Sequence, residues 1–150
     1  MRVDVRTDVQ IRRPRGEVAA YASSPDNAPA WYENIKSVEW KTAPPIAAGS
    51  QIAFVAHFLG RSLAYTYEVV EHVDGERFVM RTAEGPFPME TTYTWQDTSD
   101  GGTTMTLRNR GTPAGFSKIA APIMVLAMRR ANAKDLKRLK RILEATTPPR

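Results

Sequence analysis

Apolar and polar side chains alternate at the start of the chain. Val3, Val5, Thr7, Val9 and Ile11 fall in one phase, and Arg2, Asp4, Arg6, Asp8 and Gln10 in the other. A period of two places one set on each face of a pleated strand, so residues 2–11 predict a half-buried strand. Pro14 then opens a short helix whose apolar side is Val18, Ala19, Tyr21 and Ala22. Ser24-Pro25-Asp26 starts a second one, leading through Pro29 to Trp31 and Ile35. Strand character returns at Val38–Lys41, Gln51–Phe58, Ser62–His72, Arg77–Thr82, Met89–Gln96 and Thr103–Arg110. The breaks between them are Pro44-Pro45 and Gly49, Leu59-Gly60-Arg61, Asp74-Gly75, the stiff connector Gly85-Pro86-Phe87-Pro88, and Asp100-Gly101-Gly102. Breaks this short join neighbouring strands, which predicts an antiparallel meander.

After Gly111-Thr112-Pro113 the period changes. No turn signal interrupts Gly115–Ala145, and Ala133, Leu136, Leu139, Ile142 and Leu143 recur at helical spacing, with Lys134, Lys137, Arg138, Lys140 and Arg141 mostly on other faces. The first half of this helix, Phe116–Met128, is apolar nearly all round and is expected to be covered on most sides. Residues 146–150 read as a frayed tail. Residues 1–145 read as one domain, without repeat or linker.

This order of elements has a geometric consequence. A seven-stranded sheet is roughly 30 Å across at about 4.8 Å per strand, whereas a helix is about 10–12 Å wide. One long helix covers one face of such a sheet only if the sheet curls around it. A curled sheet leaves space between its concave face and the helix, filled or open according to the inward side chains. The expected space is a cavity of several hundred Å³.

The element order resembles the helix-grip fold of the START / Bet v 1-like superfamily. The run Gly85–Trp95, the turn Gly101-Gly102-Thr103, the stretch Gly111–Ala121, and Glu68-Val69-Val70-Glu71 followed by Gly75-Glu76-Arg77 resemble its polyketide cyclase/dehydrase-like branch. The resemblance implies an α+β domain in which a curved seven-stranded antiparallel sheet wraps a long C-terminal helix, with two short helices after the first strand. Relatives of this kind include lipid carriers and aromatase/cyclases. The shared residues are turns, core aromatics and the helix entry, and none is a catalytic signature.

Alternation assigns the inward face. Phe54 and Phe58 join Ile52; Tyr65 and Tyr67 join Leu63 and Val69; Met80 joins Phe78; then come Met89, Tyr93 and Trp95, and Met105 with Leu107. The long helix adds Phe116, Ile119, Ile123 and Ala127, and Trp31 closes one end from the short helices. Fifteen of these are the candidate ligand-binding set: Trp31, Phe54, Phe58, Tyr65, Tyr67, Met80, Met89, Tyr93, Trp95, Met105, Leu107, Phe116, Ile119, Ile123 and Ala127. Each is equally accounted for as plain core, since apolar residues mostly lie inside. The abundance of Met, Tyr and Trp favours a pocket, because such side chains give an apolar wall with a few polar handles.

Other chemistry is sparse. With no cysteine in 150 residues, disulfides, thiol nucleophiles and cysteine metal sites are excluded. His57 and His72 have no partners at metal-ligand spacing. His72 beside the Asp74-Gly75 turn reads as exposed, and His57 lies in the phase opposite the pocket residues. Glu71 and Arg81 read as a surface pair across a hairpin. There is no Gly-x-Ser-x-Gly elbow, phosphate loop or dinucleotide fingerprint. No metal or cofactor is expected.

The net charge of +5 is uneven. From Gly115 onward there are nine Lys/Arg against two Asp/Glu, whereas the first 114 residues carry twelve against fourteen. Aromatic residues are absent after Phe116, so no base-stacking surface accompanies the cations, and nucleic-acid binding is not expected. No apolar run approaches the about 20 residues a bilayer demands. Stable membrane insertion is therefore not expected, and the cytoplasm is the default location. The partner expected is a hydrophobic small molecule, a lipid or a polyketide-like aromatic, bound or transported in the internal cavity. The alternative is a polyketide cyclase/dehydratase-type enzyme acting in the same cavity. A third reading, an interaction module, would show a filled core and an exposed apolar patch. A homodimer is compatible with the sequence.

Overall fold

A computed structural model describes residues 2–84, 88–112 and 120–145. Strand β1 (Val3–Ile11) leads through Pro14 into α1 (Arg15–Ala22), a 3₁₀ turn (Pro25–Asn27) and α2 (Ala28–Trp31). Then follow β2 (Ile35–Trp40), β3 (Gln51–Phe58), β4 (Arg61–Val73), β5 (Arg77–Glu84), β6 (Met89–Asp97), β7 (Thr103–Gly111) and the helix α3 (Ala121–Ala145). The strands form one curved antiparallel sheet in the order β1-β7-β6-β5-β4-β3-β2. The meander β2 to β7 is thus consecutive, and β1 returns beside β7. The helix-grip architecture expected from the element order is present.

Three local differences from the sequence reading have physical causes. The second short helix ends at Trp31, and Ile35 already pairs with Ala56 as the first residue of β2, with a register shift before Ser37. That irregularity breaks the alternation by which the first half of β2 would have been recognised. In β4 the pairing steps from Val69↔Met80 to Glu71↔Val79, a bulge that bends the longest strand. Finally, α3 is described from Ala121, so the expected helical residues Gly115 to Ile119 lie outside the described part of the chain, as do 146–150.

The core divides along α3. Toward its C-terminal end Leu136, Leu139 and Leu143 pack with Ile11 of β1, Met105 and Leu107 of β7, and Trp95, Tyr93 and Phe78 of β6 and β5. The end of α3 is also tied to β1: Glu144 accepts from the Arg12 amide at 2.9 Å and from Lys140 at 2.6 Å, while Lys140 also donates to the Gln10 carbonyl. Toward the N-terminal end Met124 packs with Val3, Leu63 and Met89. The expectation that this end is covered on most sides does not hold, because Ile123 is 62% and Leu126 49% exposed.

The outer face of the sheet is polar. Asp4 on β1 is bidentate with Arg108 on β7, and Glu90 on β6 sits between Arg81 on β5 and Arg110 on β7. The expected Glu71–Arg81 pair is therefore replaced by two others, Arg77–Glu71 and Arg81–Glu90. Among the described residues no helix is long and apolar enough to cross a membrane.

Candidate functional site

Between the concave face and the N-terminal half of α3 lies a partly enclosed cavity of about 150 Å³. Strand alternation supplies most of its wall. Phe54, Ala56 and Phe58 come from β3, Leu63, Tyr65 and Tyr67 from β4, Phe78 and Met80 from β5, Met89, Thr91 and Tyr93 from β6, and Asn109 from β7. Successive residues two apart point to one face, so each strand delivers a stripe and not a single contact. The floor near the short helices is Ala22, Ser23, Ser24, Pro25, Ala28 and Tyr32, continued by Asn34 and Ile35. The helix contributes Met124, Met128, Ala131, Asn132 and Asp135. Half-buried members of the lining, among them Asn34, Ile35, Phe58, Met128 and Ala131, mark where the space meets the surface.

Of the fifteen candidates, the structure brings together Phe54, Phe58, Tyr65, Tyr67, Met80, Met89 and Tyr93 around this space. Trp31 does not line it. It is fully buried behind the wall, 4.0 Å from the Tyr32 ring and 5.8 Å from Tyr93, centroid to centroid. Trp95, Met105 and Leu107 lie outside the lining, in the cluster around Leu136, Leu139 and Leu143. Ile123 faces solvent and Ala127 is outside the lining, so the helix enters the site in a different phase: Met124 and Met128 occupy the places expected for Ile123 and Ala127. Phe116 and Ile119 lie outside the described residues. The cavity is smaller than the several hundred Å³ expected, because three tyrosine rings project into it: Tyr65 stands 5.2 Å from Tyr67, edge to face, and Tyr93 rises beside them.

Sequence reasoning found Tyr65, Tyr67 and Tyr93 but missed the other polar side chains of the wall, among them Tyr32, Thr91, Asn109, Asn132 and Asp135. Tyr32 and Tyr93 hydrogen-bond hydroxyl to hydroxyl, and Thr91 donates to Asn109 at 3.0 Å. Burial pushes the Tyr32, Tyr65, Tyr67 and Tyr93 hydroxyls above the ordinary tyrosine range, so all four are neutral donors at physiological pH. Asp135 is 4% exposed, and its carboxylate accepts from the Glu33 amide at 3.1 Å. Desolvation outweighs that hydrogen bond and raises its pKa to about 6. A signal for these residues was present. Asn132 and Asp135 follow Met124 and Met128 at the i, i+4, i+8, i+11 spacing of a buried helical stripe, and polar residues in such a stripe need a reason.

The histidines stay outside. His57 is exposed, as its phase predicts. His72 is not: its side chain is 18% exposed, with Nε2 3.1 Å from Asp74 and its ring edge-on to Phe78. Neither lines the cavity. Among the described residues no three His, Cys, Asp or Glu side chains come together as metal ligands.

Comparison with known proteins adds three kinds of finding. A family model described as polyketide cyclase / dehydrase and lipid transport matches residues 2–144. No curated protein sequence matches the chain. Among solved structures, the chain is similar to TTHA0849 from Thermus thermophilus, with a TM-score of 0.81 at 22% identity over 97% of this chain and 100% of that one. It is similar to a START superfamily protein from Mycobacterium smegmatis, with a TM-score of 0.81 at 15% identity over 96% and 99% of the two chains. It is also similar to the ZhuI aromatase/cyclase from Streptomyces sp. R1128, with a TM-score of 0.75 at 14% identity over 96% and 94%. Likeness at these identities is likeness of fold.

Proposed function

We propose that this chain, which belongs to the polyketide cyclase/dehydrase and lipid transport family, binds and carries a compact hydrophobic molecule in the cavity beneath the N-terminal half of α3. The observation that supports the reading most is a space of about 150 Å³ walled by Phe54, Phe58, Tyr65, Tyr67, Met80 and Met89. An apolar cavity of this size takes a benzene-sized guest in proteins where it has been engineered. A one- or two-ring aromatic or a segment of acyl chain therefore suits it. Trp31, Trp95, Met105 and Leu107 support the wall from behind and contribute shape, not contact.

The test is native mass spectrometry of the protein purified from its own host, followed by calorimetric titration with naphthalene. A co-purified small molecule, or saturable binding that Ala131→Leu weakens at least ten-fold, supports the reading. No retained molecule and no heat of binding from a correctly folded protein would overturn it.

A second reading has one observation in its favour: Asp135 is a buried carboxyl on the cavity wall, and desolvation raises its pKa to about 6. A carboxyl that changes charge close to working pH is suited to moving protons. As a carboxylate it would take the proton α to a carbonyl of a β-hydroxyketone. The C=C bond then forms as the C–O bond breaks, and the same carboxyl returns its proton to the departing hydroxide as water. Turnover of a model β-hydroxyketone by the native protein, lost in Asp135→Asn, would establish this chemistry. Binding without turnover leaves a carrier.

A further inference from the structure

Among the described residues five buried side-chain nitrogens or oxygens have no hydrogen-bond partner: Thr7 Oγ1, Arg13 Nε, Trp31 Nε1, Trp95 Nε1 and Asn132 Nδ2. Only the last belongs to the cavity wall. Asn132 is 6% exposed and stands on the buried stripe of α3, one turn before Leu136, at a position where an apolar side chain would complete the core. An unpaired buried amide donor costs stability. No described residue supplies it with an acceptor.

An unpaired buried donor on a residue of the cavity wall is the arrangement expected where the partner is brought by a ligand. We propose that Asn132 anchors the bound molecule through a hydrogen bond from its Nδ2 to a carbonyl-type oxygen, so that the ligand is a compact apolar body bearing a ketone and not a pure hydrocarbon. This rests on the reading that the cavity holds a small molecule, and adds to it the functional group and the direction in which the molecule lies. The oxygen points to α3, and the apolar body lies against Phe54, Tyr65, Tyr67 and Met80. In the ligand-free protein the Nδ2 donor has no partner. A ketone oxygen would supply the missing acceptor, whereas a hydrocarbon leaves the donor stranded. Sites built to hydrogen-bond a ligand group discriminate strongly against analogues lacking it, for this reason.

The probes are 1-indanone and indane, which share a two-ring body and differ by one oxygen. Calorimetric titration of the wild-type protein is expected to give roughly five-fold or more tighter binding of the ketone, although indane is the more hydrophobic. Asn132→Leu, of similar volume, is expected to bring the ratio below two-fold or reverse it. Ligand-free Asn132→Leu should melt no lower than wild type, since the stranded donor is gone; a merely structural asparagine would instead lower the melting temperature. Preference of wild type for indane, or an unchanged ketone preference in Asn132→Leu, overturns the anchor while leaving the cavity reading intact. Failure of both probes to bind the wild type overturns the two together. The wild-type comparison decides even if the variant does not fold.

Discussion

Asp135 is a buried carboxyl whose charge works against the fold. Burial makes its carboxylate unfavourable, Glu33 nearby adds to that, and the Glu33 amide with Arg138 and Lys134 offsets only part. A folded-state pKa raised to about 6, against about 3.9 in the unfolded chain, gives stability that is complete below the lower value and is lost as pH rises through the upper one. Stability should therefore fall between about pH 4 and 6 by on the order of 2 kcal/mol, and Asp135→Asn should abolish that slope. Denaturant unfolding of both proteins at pH 4, 5, 6 and 7.5 measures it; parallel curves would show that the carboxyl is not desolvated. Glu144 works in the opposite sense. Desolvation raises its pKa, but the Lys140 and Arg12 hydrogen bonds win and bring it down to about 2, so its contribution is present above about pH 4.5 and fades below it. The two windows overlap little.

At the scale of elements, a single glycine shows how the strands are held in contact. Gly111 ends β7 opposite both Val3 and Met89, and a Cβ there would come 2.1 Å from the Pro88 carbonyl oxygen and 2.9 Å from the Met89 Cα. Backbone cannot yield as a side-chain tip does. Gly111→Ala should cost about 3 kcal/mol, read as a fall in thermal midpoint, and a variant as stable as wild type would mean that the β6–β7 end rearranges freely. The strands themselves were legible in the sequence, because a period of two fixes both the element and the face: alternation alone places Tyr65, Tyr67, Met80, Met89 and Tyr93 on one side. The rotation of α3 was not legible. Where a helix is apolar all round, its periodicity does not say which stripe meets the sheet, and an error of one position exchanges Met124 for Ile123. The same ambiguity hid Asn132 and Asp135, whose significance appears only when they are seen to share a stripe with Met124 and Met128. Tyr32 was missed for another reason: it follows a helix of four residues, too short to have a periodicity.

For the molecule as a whole, the sheet closes on the helix at one end and stands off at the other. Closure follows leucine: Leu136, Leu139 and Leu143 reach the strands, while Met128 and Ala131 leave the gap. Ala131→Leu should fill part of it. Cavity relief of about 24 cal/mol per Å³ makes a gain of about 1–2 kcal/mol reasonable for a leucine that fits, with ligand affinity lost in exchange. A variant that loses stability and keeps its affinity would place Ala131 away from the space. The position of Trp31 carries a practical consequence. Its indole is packed 5.8 Å from Tyr93, and Trp95 lies 6.1 Å from the same ring, whereas Trp40 sits apart with its Nε1 bonded to Asp26. Two of the three tryptophans thus flank a tyrosine that forms part of the cavity wall. A guest pressed on that phenol alters the field and polarisability around both indoles, so the unlabelled protein should report occupancy by a shift in its own ultraviolet emission. Replacing Trp40 with Phe would remove the silent background.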